Sequence, residues 1–418
     1  MRICLFEDAR AAWLEPLSLT RPVFDLRCGL TTLGGKLWRL MPGAPGGVLV
    51  RPHLAESYRE THPGLPVNDL RWLCEASVLL VNGRWIPGAG EATPSIPGVD
   101  FAPLFGTVGP EIAWAVLRSS HLRRLNFDNL VGSLASLAKT STCRPAGGTM
   151  VGRLWELVER NGAEILRDFA ATHSPAHQSP KPAGIALIGP AHWLDVSESA
   201  RIDPFVVVDT TGGPVVVARD AVVHSFSRLE GPCYIGPRSH VLGAKIRAGT
   251  TIGGNCRIGG EVECSIVQGN ANKYHEGFLG HSYLGEWVNV GAGAHTSDLR
   301  LDYGPITMLL GDERIPTGRL KIGSMLGDHT RVGIGSLLNT GTTAGIFCNL
   351  LPNGELLPRA IPSFGRVSHG GIEPEVNFDA QLAVAATAMS RRGEVLTPAM
   401  RAMYLHLRES AAGVRRAA

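Results

Sequence analysis

Residues 217–259 read VARDAVVHSFSRLEGPCYIGPRSHVLGAKIRAGTTIGGNCRIG, with an aliphatic side chain every six positions. These are Val217, Val223, Leu229, Ile235 and Val241, then, after one step of five, Ile246, Ile252 and Ile258. The beat returns at Phe278, Leu284 and Val290, and again at Leu320, Leu326, Val332, Leu338, Ala344 and Leu350. Glycine often follows the aliphatic directly, as at Gly236, Gly253, Gly285, Gly291 and Gly327. A period of six fits neither a helix nor a plain alternating strand. It fits a short strand plus a tight turn, repeated, with one aliphatic per hexad pointing inward and glycines supplying unusual backbone angles at the corners. Three hexads make one triangular coil, so the expected fold of residues 185–362 is a left-handed parallel β-helix of hexapeptide repeats.

Working outward, the flanks have other periods. MRICLFE at the start and ASVLLVNG at residues 76–83 read as buried strands, TTLGGKLWRLM as a strand exit followed by a helix, and residues 110–139 as helical. The mixture implies an α/β domain over residues 1–148. Residues 149–170 form an amphipathic helix, and THSPAHQSPKPAG is a Pro/Ser-rich linker, so 149–184 is expected to connect the two parts. Prolines in residues 349–371 read as the exit from the β-helix. The tail, residues 363–418, carries two helices, FDAQLAVAATAMSRRG and TPAMRAMYLHLRES, with Pro398 in the first turn of the second.

Composition narrows the function classes. The chain has 418 residues and a net charge of +3, too weak a bias for a dedicated nucleic-acid or membrane-surface binder. No apolar run is long enough for a membrane span. The first residues include Glu7 and Asp8 and no long apolar run, which argues against a secretory leader. The 8 cysteines form no C-x-x-C pair and read as reduced thiols of a cytoplasmic protein.

The densest polar cluster is NKYHEGFLGHSYLGEWVNVGAGAHTSDLR, residues 272–300, holding His275, His281, His295, Asn289, Asp298 and Arg300. It breaks the hexad phase, since Ile258 and Phe278 are 20 residues apart. A phase break beside histidines marks an irregular coil built for a purpose. The stretch from His275 to Gly280, then Leu284-Gly285, then Val288-Asn289-Val290-Gly291-Ala292-Gly293, resembles without a gap the acetyltransferase half of the GlmU-type bifunctional enzymes that make UDP-N-acetylglucosamine. Ala244-Lys245-Ile246-Arg247-Ala248-Gly249 resembles that family's A-R-L-R-P-G. A divergent branch is closer still: Leu5-Phe6-Glu7-Asp8 with Pro16-Leu17-Ser18-Leu19-Thr20-Arg21-Pro22, and the block Gly277 to Trp287, resemble its members over most of the chain.

The resemblance implies roles. Acyl transfer to an amine needs a base within hydrogen-bond reach, and His275 matches the family's catalytic base. Arg247 matches the phosphate-binding arginine, whose guanidinium can grip phosphate oxygens bidentately. Asn289 matches a sugar contact, Asp298 falls where the family has an asparagine near the amino group, and Ala292 falls at a backbone contact to acetyl-coenzyme A. Phe278 replaces a substrate-touching tyrosine and Ser265 replaces an active-site lysine, for which Lys273 is a candidate substitute. For His281 a structural or solvated corner is the plainer expectation. Arg247 could instead pair with a carboxylate on the outer wall.

For the first domain the resemblance implies a sugar-nucleotidyltransferase fold using Mg²⁺ to offset phosphate charge. The family's Gly-rich loop is missing after the first strand. Arg21, Arg27 and Lys36 are the available cations, with Asn82 and Arg84 a second candidate contact; each could equally be a solvated or capping residue. The expected protein is therefore a cytoplasmic homotrimer with two activities. One moves an acetyl group from acetyl-coenzyme A to an amino-sugar-1-phosphate. The other moves a nucleotidyl group from a nucleoside triphosphate, UTP by resemblance, to a sugar-1-phosphate. The alternatives are a protein that keeps one activity, its other domain serving as trimerising scaffold or sugar-nucleotide-binding module, and a non-enzymatic repeat surface.

Overall fold

The computed structural model describes residues 1–88, 101–173, 182–311, 313–374 and 377–417. Most of the linker expected at 172–184 lies outside them.

The first domain is built on a six-stranded sheet in the order Gly46–Leu49, Arg2–Phe6, Val78–Asn82, Glu111–Leu117, Leu104–Val108, Thr142–Pro145. The first three strands are parallel, and Glu111–Leu117 runs antiparallel to both its neighbours. Val78–Asn82 is buried on both faces, which is why it reads as an unbroken apolar run. Residues 111–117 were expected to be helical and are a strand. Gly109, at φ +55°, turns the chain into a hairpin there, and the apolar run Ile112 to Leu117 has no period with which to tell strand from helix. Helix begins only at Ser119–Leu122 and Leu130–Ala138.

The long helix Leu154–Thr172 lies between the first domain and the repeats. Its buried Asn161 accepts a hydrogen bond from the Gly29 amide at 2.7 Å and donates to the Gly249 carbonyl at 2.8 Å and to Thr251 at 3.0 Å. One apolar cluster joins all three parts through Leu26 and Leu33, Leu157 and Val158, and Ile266, Tyr283 and Met325.

The repeats form a parallel β-solenoid. One stack runs Val207, Arg228, Lys245, Glu261, Phe278; another runs Arg201, Val222, His240, Arg257, Asn272, Asn289, Arg331, Asn349, Arg366. The exit expected through residues 349–371 is a continuation. Asn349–Leu351, Ala360–Ile361 and Gly365–Ser368 extend the stacks, and Gly371–Pro374 closes the last antiparallel. The two helices that follow, Phe378–Ser390 and Pro398–Ala417, place Phe378, Leu382, Met403 and Tyr404 in one core with the first domain.

Two expectations about the hexads need correcting. The glycines after the aliphatics are not the corner residues. Positive φ falls instead on other glycines, such as Gly249 and Gly293, and on side-chain-bearing residues such as Arg238, Asn255 and Asn270. Gly236 and Gly327 are needed for close stacking, since a Cβ there would come within 2.6 Å and 2.7 Å of the next coil's backbone. Phe278 and Leu320 are not inward members either. Leu279 fills the core at 1% exposure, while Leu320 is 53% exposed. Five-residue steps, as from Leu279 to Leu284, shift the frame by one.

Candidate functional site

The polar cluster maps onto one face of the solenoid and its two corners. Strands His240–Ile246, Arg257–Glu263, Phe278–Gly280 and His295–Thr296 supply the face. Half-exposed Arg247 stands at its edge among Glu230, Glu261 and Glu263, at 3.7, 3.2 and 4.0 Å. Its expected pairing with outer-wall carboxylates is therefore present, in an open site where an anion can compete.

His275 projects from the corner between Lys273 and Phe278, exposed, with its ring edge-on to Tyr274 at 5.0 Å. The structure shows what holds this corner. Lys273 occupies a core position between Ile258 and Val290 and is 2% exposed. Its Nζ donates to the carbonyls of Gly259 and Gly277, both at 2.8 Å, and of His275 at 3.3 Å. Burial pushes the ammonium down to about 8. As a candidate substrate contact Lys273 is thus misplaced. It faces inward and fastens the corner that carries His275. Asn289 is exposed and accepts from Asn272 at 2.8 Å, and Ala292 lies at the adjoining corner.

The opposite corner was not anticipated. Cys264, His281 and Asp298 sit one above another on successive coils. His281 Nδ1 lies 2.7 Å from Asp298 Oδ2, and the Cys264 thiol, which donates to the Ala248 carbonyl at 3.4 Å, has its sulfur within 4.8 Å of an imidazole nitrogen. Burial pulls His281 down, but the bond to Asp298 and the neighbouring Cys264 outweigh it and raise the imidazole to about 9. Equal spacings of 17 residues were the available signal; they were hidden because the hexad count assumed coils of 18.

In the first domain the predicted cations are enclosed. Arg84 is fully buried, donating to Asp8 at 2.8 and 2.5 Å, to the Val151 carbonyl at 2.6 Å and to Glu111. Asn82 donates to Asp8 at 2.8 Å. Burial would raise the Asp8 carboxyl, but Arg84 and Asn82 prevail and lower it. Lys36 lies between Glu164 at 2.9 Å and Asp168 at 2.6 Å. Arg84, Asn82 and Lys36 are therefore internal ties rather than open contacts.

Arg21 differs. Segment 18–23 is pinned just past the carboxyl ends of Arg2–Phe6 and Gly46–Leu49, the Val23 amide donating to Glu7 at 3.0 Å and Arg51 to the Arg21 carbonyl at 2.9 Å. Ligands of parallel sheets bind at such ends. A cavity of about 720 Å³ opens there, lined by Arg21, Asp25, Trp38, Tyr58, Glu286 and Trp287 among others. Arg21 pairs with Asp328 and lies 3.6 Å from Glu286, and its Nη1 has no hydrogen-bond partner among the described residues. Burial pushes the Asp25 carboxyl up to about 7. Arg27, which also lines the cavity, is tied back to the solenoid. Its amide donates to Tyr283 at 2.7 Å and its Nε to the Gln268 carbonyl at 2.8 Å.

Comparison with known proteins follows the same division. Residues 3–175 match the sugar nucleotidyl transferase family. The chain is 28% identical over 241 residues to the bifunctional protein GlmU of Jannaschia sp., covering 53% of this chain and 50% of that one. It is 34% identical over 219 residues to the bifunctional protein GlmU of Azorhizobium caulinodans, covering 49% and 47%. It is 32% identical over 148 residues to a bifunctional sugar-1-phosphate nucleotidylyltransferase/acetyltransferase of Sulfurisphaera tokodaii, covering 34% and 36%. The chain thus spans at most about half the length of these relatives. No helix among the described residues is long and apolar enough to cross a membrane.

Proposed function

From a chain that carries a sugar nucleotidyl transferase domain and is related to the GlmU-type bifunctional proteins, we propose a transferase of sugar-nucleotide biosynthesis. Its solenoid moves an acetyl group from acetyl-coenzyme A to the amine of an amino-sugar-1-phosphate. His275 takes the amine proton as nitrogen attacks the thioester carbon, Arg247 binds the phosphate, and Asn289 and the backbone at Ala292 position sugar and coenzyme. The observation that carries this reading is the His275 corner, an exposed imidazole on a turn that a buried lysine fastens from within. Catalysis needs a base in a fixed place and open to substrate, and this corner supplies both. Because these groups face outward, the site is completed by a neighbouring copy in a homotrimer.

The first domain uses the cavity at the carboxyl ends of its strands for nucleotidyl transfer from UTP to a sugar-1-phosphate. Asp25 and Glu286 offer the hard oxygen donors that Mg²⁺ prefers, and a buried carboxyl pushed up to about 7 is one a cation would stabilise. Mg²⁺ there would shield phosphate charge, while Arg21 Nη1 has a free donor for an anion. A second reading, acyl transfer alone, is favoured by the enclosure of Lys36 and Arg84.

Two assays on the full chain separate these readings. One follows coenzyme A release from acetyl-coenzyme A with glucosamine-1-phosphate. The other follows pyrophosphate release from UTP with N-acetylglucosamine-1-phosphate and Mg²⁺. Activity in both is expected; coenzyme A release alone establishes the second reading, and silence in both overturns the function proposed.

A further inference from the structure

The corner opposite His275 is a site in its own right. Cys264 and His281 occupy left-handed corner positions at φ +42° and +45°, so each side chain leaves the solenoid at the same edge. The backbone ladder fixes their registry, with the Cys264 amide donating to Ala248 at 3.2 Å and the His281 amide to Glu263 at 3.0 Å. His281 is bound to Asp298, and an imidazole nitrogen lies within 4.8 Å of the Cys264 sulfur, whose thiol hydrogen is directed to the Ala248 carbonyl at 3.4 Å. Cys264 and His281 face a cavity of about 340 Å³ between the helix Leu154–Thr172 and the strap at residues 319–322. That volume suits a small organic group. The titratable surroundings are cationic as well as acidic: Arg319 pairs with Glu159 at 2.9 Å, and Lys321 lies 3.6 Å from Glu263. Glu263, Cys264 and His281 have donor atoms within 4.8 Å of one another, as a metal site would need. Lys321 and Arg247 already face Glu263, however, and their charge favours an anionic ligand over a metal ion.

We propose that Cys264, His281 and Asp298 act as nucleophile, proton partner and orienting carboxylate, and that Cys264 accepts an acyl group from a thioester as an acyl-cysteine. An imidazolium beside a sulfur stabilises the thiolate, and a carboxylate on the far nitrogen holds the ring in place. The thiolate attacks the thioester carbonyl carbon, a bond forms from that carbon to Cys264 Sγ, and the bond to the donor's sulfur breaks. The departing thiolate takes the proton from His281 and leaves as a thiol, so no oxidant or reductant is needed. Arg319 and Lys321 attract a phosphorylated donor. The inference rests on the acyl-donor part of the function proposed above.

The test compares cysteines within one molecule. The full chain is treated with iodoacetamide at pH 6 and pH 9, and labelling is read peptide by peptide, with exposed Cys143 as internal reference. At pH 6, Cys264 is expected to label at least ~10-fold faster than Cys143, and Asp298→Asn and His281→Asn are expected to remove the advantage. Acid-quenched protein exposed to acetyl-coenzyme A should carry one acetyl group on Cys264, released by neutral hydroxylamine and missing in Cys264→Ser. Labelling of Cys264 no faster than Cys143 overturns the relay, and fast labelling without acetylation overturns acyl acceptance. Failure of the underlying function looks different: Cys264 is acetylated, yet no amino sugar phosphate releases coenzyme A in turnover.

Discussion

Arg84 and Arg247 are the same residue in two regions of one chain, and they have opposite surroundings. Arg84 is sealed inside the first domain by Asp8, Glu111 and a carbonyl, whereas Arg247 stands half-exposed on the solenoid among three carboxylates it does not fully engage. Lys36 and the exposed His275 repeat the contrast. A cation whose donors are all used inside the fold contributes to stability; one with donors facing solvent is available to a ligand. The first domain has turned most of its candidate contacts into ties, whereas the solenoid keeps His275, Arg247 and Asn289 open and turns Lys273 into a tie of its own.

Substitutions can break this contrast, and the largest effect is expected at the open corner. His275→Ala should lower acetyl transfer by roughly 10²–10⁴-fold, the usual range for a general base, with the thermal midpoint unchanged. A variant that unfolds instead would place His275 among the ties. Arg84→Met should do the reverse. It takes from Asp8 its buried partner, while Glu111 keeps Arg10 at 2.7 Å, and should cost about 3–5 kcal/mol in urea unfolding, the range for a broken buried pair. Unchanged stability would show that Arg84 is free to serve a ligand.

A pH series sharpens the comparison at the second corner. The ordinary histidine value is 6.5 and His281 is raised to about 9, so its bonds contribute fully below about pH 6.5 and are lost as pH rises through about 9. The pH-dependent stability difference between wild type and His281→Asn should be roughly 2–3 kcal/mol at pH 6 and vanish by pH 10. A flat difference would mean that the His281–Asp298 contact is unchanged by titration. The smallest effect is expected at Phe278. Phe278→Tyr adds a hydroxyl to the open face and should lower the KM for the sugar phosphate by about 3–10-fold if the phosphate lies there, the worth of one hydrogen bond. An unchanged KM would move the phosphate off this face.

The β-helix was legible because its period is written in the aliphatics, and buried Ile235, Ile252, Leu284 and Leu326 follow it. The frame failed at Phe278, where a short coil moves the inward position by one residue, and at Leu320, which lies in the strap that returns from an inserted hairpin. Residues 111–117 were misread because a strand buried on both faces loses the alternation that identifies strands. Of the site, the His275 corner was visible as a local motif. Lys273 was not, since nothing in NKYHEG says that an ammonium group will turn inward to its own carbonyls. The Cys264–His281–Asp298 stack depends on coil length, and Arg21 needed the partners it meets across more than 300 positions of sequence.

The helix Leu154–Thr172 touches both halves, and Asn161 ties them with three short bonds. A chain joined this way behaves mechanically as one body with a keel, not as two beads on a string. Cutting it at the linker would leave either fragment with a raw apolar flank around Ile266, Tyr283 and Leu157. Heating should melt the whole in one transition. In evolution the halves are not freely exchangeable modules, because a new front half would have to arrive with a keel that fits the old hull.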